Sequence, residues 1–157
     1  MVAVKKPIGT VTRGTTNPNR LRRVDRYIAA LPILRRSGAP VVVDLGFGAS
    51  PITAIELLER LSKVNASTHV VGIEIERERV ERGLAVATDH LHFTHGGFET
   101  PLPSELADRA NVIRAFNVLR QYNESEVADA WATMQSRLAP DGLLIEGTCD
   151  EIGRLST

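Results

Sequence analysis

The sequence predicts an α/β domain, a doubly wound parallel sheet of about five strands joined by right-handed crossovers. Three observations carry that prediction. Short apolar runs rich in β-branched residues recur along the chain, as in "VVVDL" at 41–45, and strands covered on both faces read this way. Segments with apolar residues at helical spacing alternate with those runs, the pattern that builds a parallel sheet. A glycine-rich turn, "GFG" at 46–48, follows the first run, where open sheets of this kind take their ligands.

Size and composition agree with a single domain that has room for a core. The chain has 157 residues, 43% hydrophobic and 24% charged, which excludes a disordered or fibrous protein. No apolar run approaches the roughly 18 residues of a membrane span. The opening "MVAVKKPIGTVTRG" lacks the apolar block of a signal peptide, and Cys149 is the only cysteine. The expectation is a cytoplasmic protein with no disulfide and no membrane partner.

Taken in order, the elements begin with a basic leader. Residues 1–36 hold Lys5, Lys6, Arg13, Arg20, Arg22, Arg23, Arg26, Arg35 and Arg36 against Asp25 alone, in a chain whose net charge is zero. Such a leader suits phosphate, an acidic substrate or nucleic acid, or it lies on the acidic body of its own chain. Gly14, Asn17, Pro18 and Asn19 break its first part into loop. Leu21, Val24, Ile28 and Leu31 recur at helical spacing, so a short helix begins near Asn19 and stops before Pro32.

Residues 37–157 form the ligand-binding domain. After "VVVDL" comes "SPITAIELLERL", with Ile52, Ile55, Leu58 and Leu61 on one helical face, Ser50 as N-cap and Pro51 at the first helical position. "HVVGIEI" is the second strand, and "ERERVERGLAVA" a helix with the stripe Val80, Leu84 and Ala87. "HLHFT" and "NVIRAFNVL" are the third and fourth strands. Asn123 and Glu126 make a capping box before a helix whose core face is Val127, Ala130, Trp131, Met134 and Leu138. "PDG" then turns the chain into a fifth strand, "LLIEGT".

The turn after the first strand points to a nucleoside-containing cofactor. Gly46 and Gly48 let backbone approach a ligand closely. Glu74, ending the second strand, is placed to accept hydrogen bonds from both ribose hydroxyls of an adenosine. A dinucleotide fingerprint needs a third small residue where this chain has Pro51. Asp44, two residues before the first glycine, would repel a pyrophosphate but suits the sulfonium and ammonium of S-adenosylmethionine.

From about Val41 onward the chain resembles class I S-adenosylmethionine-dependent methyltransferases. "VVVDLGFGAS" is similar to their first motif, with Asp44, Gly46, Phe47 and Gly48 in place and Ser50 where a third glycine is common. "VVGIEIERERV" resembles the second, its acid being Glu74, followed by Ile75. "FTHGGFETPLP" resembles the third; Gly97 replaces the usual acid, which leaves a backbone contact from Phe98 for the adenine. "NVIRAFNVLRQY" resembles the fourth, near the transferable methyl, and "LAPDGLLIEGT" the turn into the fifth strand. The leader "RGTTNPNRLRRVDR" is similar to one in uncharacterised bacterial methylases.

The resemblance implies a Rossmann-like S-adenosylmethionine-binding methyltransferase domain over 37–157. Its cofactor contacts would be Asp44, Gly46, Phe47, Gly48, Glu74, Ile75, Gly97, Phe98 and Asn117. Asn117 is also the candidate catalytic residue, orienting cofactor or acceptor, although an Asn capping a strand end accounts for it equally. Tyr122 and Arg120 would border a small-molecule or nucleic-acid acceptor whose identity the sequence leaves open. A non-catalytic S-adenosylmethionine- or nucleotide-binding module is the alternative. An NAD-dependent oxidoreductase is disfavoured by Pro51 and by the lack of a Tyr-x-x-x-Lys pair after the fourth strand.

The remaining polar residues have structural readings. Arg114 inside an apolar strand is expected to pair with a carboxylate such as Glu146. His90, His92 and His95 have no acid at a metal-site spacing, so no metal is expected. Cys149 reads as a lone buried thiol. Class I domains continue past the fifth strand with a helix and an antiparallel strand pair, yet only "CDEIGRLST" follows Thr148. An uncovered fifth strand would be an apolar edge. The expectation is a C-terminally incomplete domain, or a homodimer covering that edge.

Overall fold

Five strands, β1 (Val41–Leu45), β2 (His69–Glu74), β3 (Leu91–His95), β4 (Ala110–Phe116) and β5 (Leu138–Gly147), pair in parallel in the order β3-β2-β1-β4-β5. The computed structural model describes residues 6–157, so Lys5 of the leader lies outside the described residues. The order reverses between β1 and β4, which opens a crevice at their carboxyl ends. This is the doubly wound sheet the alternating pattern predicts.

The helices are α1 (Arg22–Ala30), α2 (Pro32–Arg36), α3 (Ile52–Leu61), α4 (Arg77–Leu84) and α5 (Glu124–Gln135). One core layer joins Val24, Ile28, Leu34, Leu57 and Leu61 to Val42, Val70, Phe93 and Val112, so α1 to α4 cover one face of the sheet. The other layer joins Val43, Ile73 and Ile113 to Ala130 and Met134 of α5, with Leu102 and Leu106 of the loop 96–109 packed beside them. The leader helix stops at Ala30, before Pro32 as expected, and Pro32 then opens a second short helix that the spacing did not suggest. A proline at the first helical position loses no hydrogen bond there. Helix α3 begins at Ile52, one residue later than the sequence implies, with Ser50 Oγ 3.4 Å from the Ile52 N–H.

Two expectations near the end of the chain are corrected. "PDG" lies inside β5, in a register shift between the pairs Ala110↔Leu138 and Val112↔Leu143, so Leu138 belongs to the strand and not to α5. A bulge absorbs the extra residues without ending the pairing. Trp131 flanks the face formed by Val127, Ala130 and Met134 and is 42% exposed; burial pushes the Glu146 carboxyl above its ordinary pKa. The outer edge of β5 meets no further strand among the described residues.

The leader is fastened to the body by buried charge. Arg114 is fully buried, with its guanidinium on Asp25 of α1, on Asp44 of β1 (Nη2–Oδ2 3.0 Å, Nε–Oδ1 3.2 Å) and on the Thr53 carbonyl (3.3 Å). The expected pairing with Glu146 is therefore wrong. Arg114 is in register with Asp44 and Ile145, whereas Glu146 sits opposite Ala115 and faces the other side of the sheet. Burial works against the Arg114 charge, but Asp44 and Asp25 outweigh it and hold the pKa above its ordinary value.

Residues 148–157 make a small hairpin, with Thr148 and Thr157 exchanging bonds of 2.8 and 2.9 Å. It seats on the leader. Arg20 donates to the carbonyls of Asp150 (3.1 Å) and Thr15 (2.7 Å), Arg22 to that of Ile152 (2.6 Å), and Asn17 to that of Glu151 (3.1 Å). Arg23, Arg26, Arg35 and Arg36 are exposed and make no hydrogen bond or ion pair among the described residues. Arg20→Gln should therefore cost about 1–3 kcal/mol by removing a buried guanidinium and its two bonds to partly buried carbonyls, while Arg23→Gln and Arg26→Gln should stay within about 0.5 kcal/mol. Urea titration of the three variants checks this; equal losses would show that the arm is not anchored through Arg20.

Candidate functional site

The turn leaving β1 is built for close approach. Gly46 and Gly48 have φ of 71° and 90°, a region that side chains disfavour. The Gly46 N–H reaches the Ile73 carbonyl at 2.7 Å, drawing the turn onto the end of β2. Phe47 between them is core: its ring meets Phe93 edge-on at 5.3 Å, which leaves its backbone to border the crevice. Thr16 of the leader donates to the Phe47 carbonyl at 3.2 Å.

Glu74 stands where expected, at the end of β2 beside that turn. Its carboxylate accepts from the Gly48 N–H (3.0 Å), the Ile75 N–H (2.9 Å) and Arg79 (3.4 Å). Gly97 and Phe98 follow the end of β3. Phe98 N–H donates to the Ile8 carbonyl at 2.9 Å, and the Phe98 ring lies 5.2 Å from that of Tyr122. Gly46, Gly48, Glu74, Ile75, Gly97 and Phe98 thus converge on one crevice.

Two expected roles are altered by what the side chains touch. Asp44 borders the crevice, but its carboxylate is taken by Arg114 and by the Thr53 hydroxyl (2.7 Å). Its charge is compensated within the core, so attraction to a cofactor cation does not explain it. Asn117 has φ 61°, tolerated by Asn. Its Oδ1 accepts from the Cys149 N–H at 2.8 Å and its Nδ2 donates to Cys149 Sγ at 3.3 Å. The capping role accounts for these bonds, while Asn117 also lines the crevice beside Gly46 and Gly48. Tyr122 and Arg120 lie at the rim, Arg120 with its guanidinium 3.4 Å from the Cys149 carbonyl.

The leader supplies the residues that sequence reasoning missed. Ile8–Thr16 runs across the carboxyl ends of the strands, and Thr12, Thr16 and Arg20 line the crevice beside Asp44 and Gly48. The available signal was "RGTTNPNR", small polar residues in place of helix or strand. Between the segment and the Gly46–Gly48 turn and Glu74, cavities of only about 40 and 20 Å³ remain.

The histidines gather elsewhere, with His95 the exception at the crevice end of β3. His69 stacks on His90 at 4.5 Å and meets His92 at 3.1 Å between Nδ1 and Nε2. No group of His, Cys, Asp or Glu among the described residues, these histidines included, is arranged to hold a metal ion. Burial first, then the neighbouring imidazoles, lowers the pKa of His69 and of His92, the latter against the opposing pull of Glu105. Below about pH 6.5 the unfolded chain binds protons that the folded chain resists. Stability should therefore fall as pH drops from about 7.5 to about 5.5, and the fall should be shallower in His69→Gln. Urea midpoints of both proteins measure it, and an identical pH slope would exclude the cluster as its source.

No protein-family model matches the chain, and no curated protein matches it by sequence. Solved structures do match. Human N-acetylserotonin methyltransferase in complex with S-adenosylmethionine aligns with TM-score 0.57 and 18% identity, over 86% of this chain and 37% of that one. Magnesium protoporphyrin IX methyltransferase from Synechocystis, with S-adenosylmethionine bound, gives 0.56 and 16%, over 82% and 58%. A pericyclic reaction enzyme gives 0.59 and 14%, over 78% and 32%. The chain spans between a third and three fifths of their lengths. It has the Rossmann-like fold that S-adenosylmethionine-dependent methyltransferases share.

Proposed function

We propose that this chain binds S-adenosylmethionine in the crevice at the carboxyl ends of β1, β2 and β4, and that it is the cofactor-binding domain of a methyltransferase. The observation that carries the reading is the Gly46–Gly48 turn set against the buried Glu74 carboxylate at the switch point of the sheet. The residues fit the group: Gly48 and Gly97 present no side chain to a ligand, the Glu74 carboxylate would accept from ribose hydroxyls, and the Phe98 N–H would donate to the adenine once the Ile8 carbonyl leaves it. The volume fits only when Ile8–Thr16 moves aside, since small-molecule sites need about 300 Å³ or more. When bound, the cofactor supplies an already activated methyl group. The protein's part is then to hold the acceptor in line and exclude water. The methyl acceptor, a small molecule or nucleic acid, is not specified by any residue of the crevice.

A second reading, a binding module without turnover, is favoured by Asn117, whose side chain is committed to Cys149. Calorimetric titration with S-adenosylhomocysteine, NAD and ATP tests the shared cofactor reading without needing the acceptor. Binding of S-adenosylhomocysteine alone is expected, and preference for NAD would replace the reading with an oxidoreductase. Labelled methyl transfer to small-molecule and nucleic-acid fractions then separates the enzyme from the silent binder.

A further inference from the structure

We propose that Ile8–Thr16 is an internal occupant of the cofactor crevice, a strap that a ligand must displace; this rests on reading the crevice as an adenosine site. The groups such a site offers are already engaged. At the adenine end the Phe98 N–H is held by the Ile8 carbonyl at 2.9 Å, and the Ile8 N–H is held in turn by Glu99 at 2.8 Å. At the ribose end Arg79 bridges the strap to the acid, donating to the Thr12 carbonyl at 3.0 Å and to Glu74 at 3.4 Å. At the glycine turn the Ala49 N–H is held by the Gly14 carbonyl at 2.9 Å.

The glycines report the same occupancy. A Cβ on Gly97 would overlap the Ile8 carbonyl oxygen, and one on Gly48 would lie 2.7 Å from the Gly14 carbonyl oxygen. The close approach those positions allow is being used by the chain's own backbone. The strap is held mainly by hydrogen bonds at partly exposed positions, including Thr10 N–H to the Tyr122 hydroxyl at 2.7 Å and that hydroxyl to Thr10 O at 3.1 Å. Such bonds are individually weak against water. Beyond it, Asn17, Asn19, Arg20 and Asp25 are all fixed to the body, so the strap swings from its Thr16–Asn17 end. Apparent affinity is then reduced by the fraction of molecules whose strap is open.

Gly9 gives the test. Its φ is 134° and a Cβ there would lie 3.0 Å from the Tyr122 hydroxyl and 3.5 Å from the Phe98 ring, so Gly9→Val in the full chain strains the strapped state. Hydrogen exchange without ligand should show the Phe98 amide protected in the parent and less protected in the variant. The variant should bind S-adenosylhomocysteine about tenfold more tightly, equivalent to about 1.4 kcal/mol. Tyr122→Phe, which removes both Thr10 bonds, should act in the same direction. A Phe98 amide that exchanges freely in the parent overturns the proposal. So does weaker or unchanged binding in the variants, since the segment would then be a cover over the ligand or a bystander. If neither protein binds S-adenosylhomocysteine while protection still drops in the variant, the cofactor reading fails and the internal occupant stands.

Discussion

Replacing Arg114 by methionine should lower stability by about 3–5 kcal/mol, the penalty for removing one partner from a buried ion cluster. Asp25 and Asp44 would be left facing each other in the core, with only Arg60 still touching Asp25. Because Asp25 belongs to α1, Asp44 to β1 and Arg114 to β4, the loss should also loosen the leader helix from the sheet. Asp25→Asn in the Arg114→Met background should then cost less than in the parent, as expected for residues of one network. Urea denaturation of the two single variants and the double variant measures the coupling. A loss below about 1 kcal/mol for Arg114→Met would show that the cluster does not hold the fold.

Glu74→Ala should weaken S-adenosylhomocysteine binding by about 1.5–3 kcal/mol, the worth of hydrogen bonds to a charged group. The same carboxylate also fixes the turn, through Gly48 N–H and Ile75 N–H, so the variant should lose stability as well. Calorimetry at a temperature where the variant is fully folded isolates the binding loss. Affinity unchanged in a folded Glu74→Ala protein would mean that the ribose is held elsewhere.

The sheet was legible because its strands carry β-branched apolar runs whose burial on both faces needs nothing beyond the local sequence, as in Val41–Leu45 and His69–Glu74. The Gly46–Gly48 turn and Glu74 were legible for a similar reason: each marks a strand end, and strand ends are local. Arg114 shows where local reading stops. Its oddity in an apolar strand was visible, but its partner depends on which residue lies in register across the sheet, and that set Asp44 on its face and Glu146 on the opposite one. The strap was invisible because Ile8–Thr16 carries no periodicity and its bonds run through main-chain atoms. Asn117 could not be resolved locally because an Asn at a strand end serves a cap and a substrate equally well, and the cap is seen only once Cys149 is placed beside it.

The fastening of the leader also orders events as the chain is made. Asp25 meets Arg114 across 89 positions, and Asn17 meets Glu151 across 134. Contacts so distant form late, since each requires a long loop to close before it contributes anything. The leader therefore finds its first partners in α3, where Arg60 meets Asp25 and Glu56 accepts from the Asn19 N–H, and it gains Arg114 and the hairpin carbonyls only after β4 and β5 have been made. Until Asp150–Ile152 has been made, Arg20 and Arg22 lack those carbonyl partners and stay available to whatever polyanion is nearby.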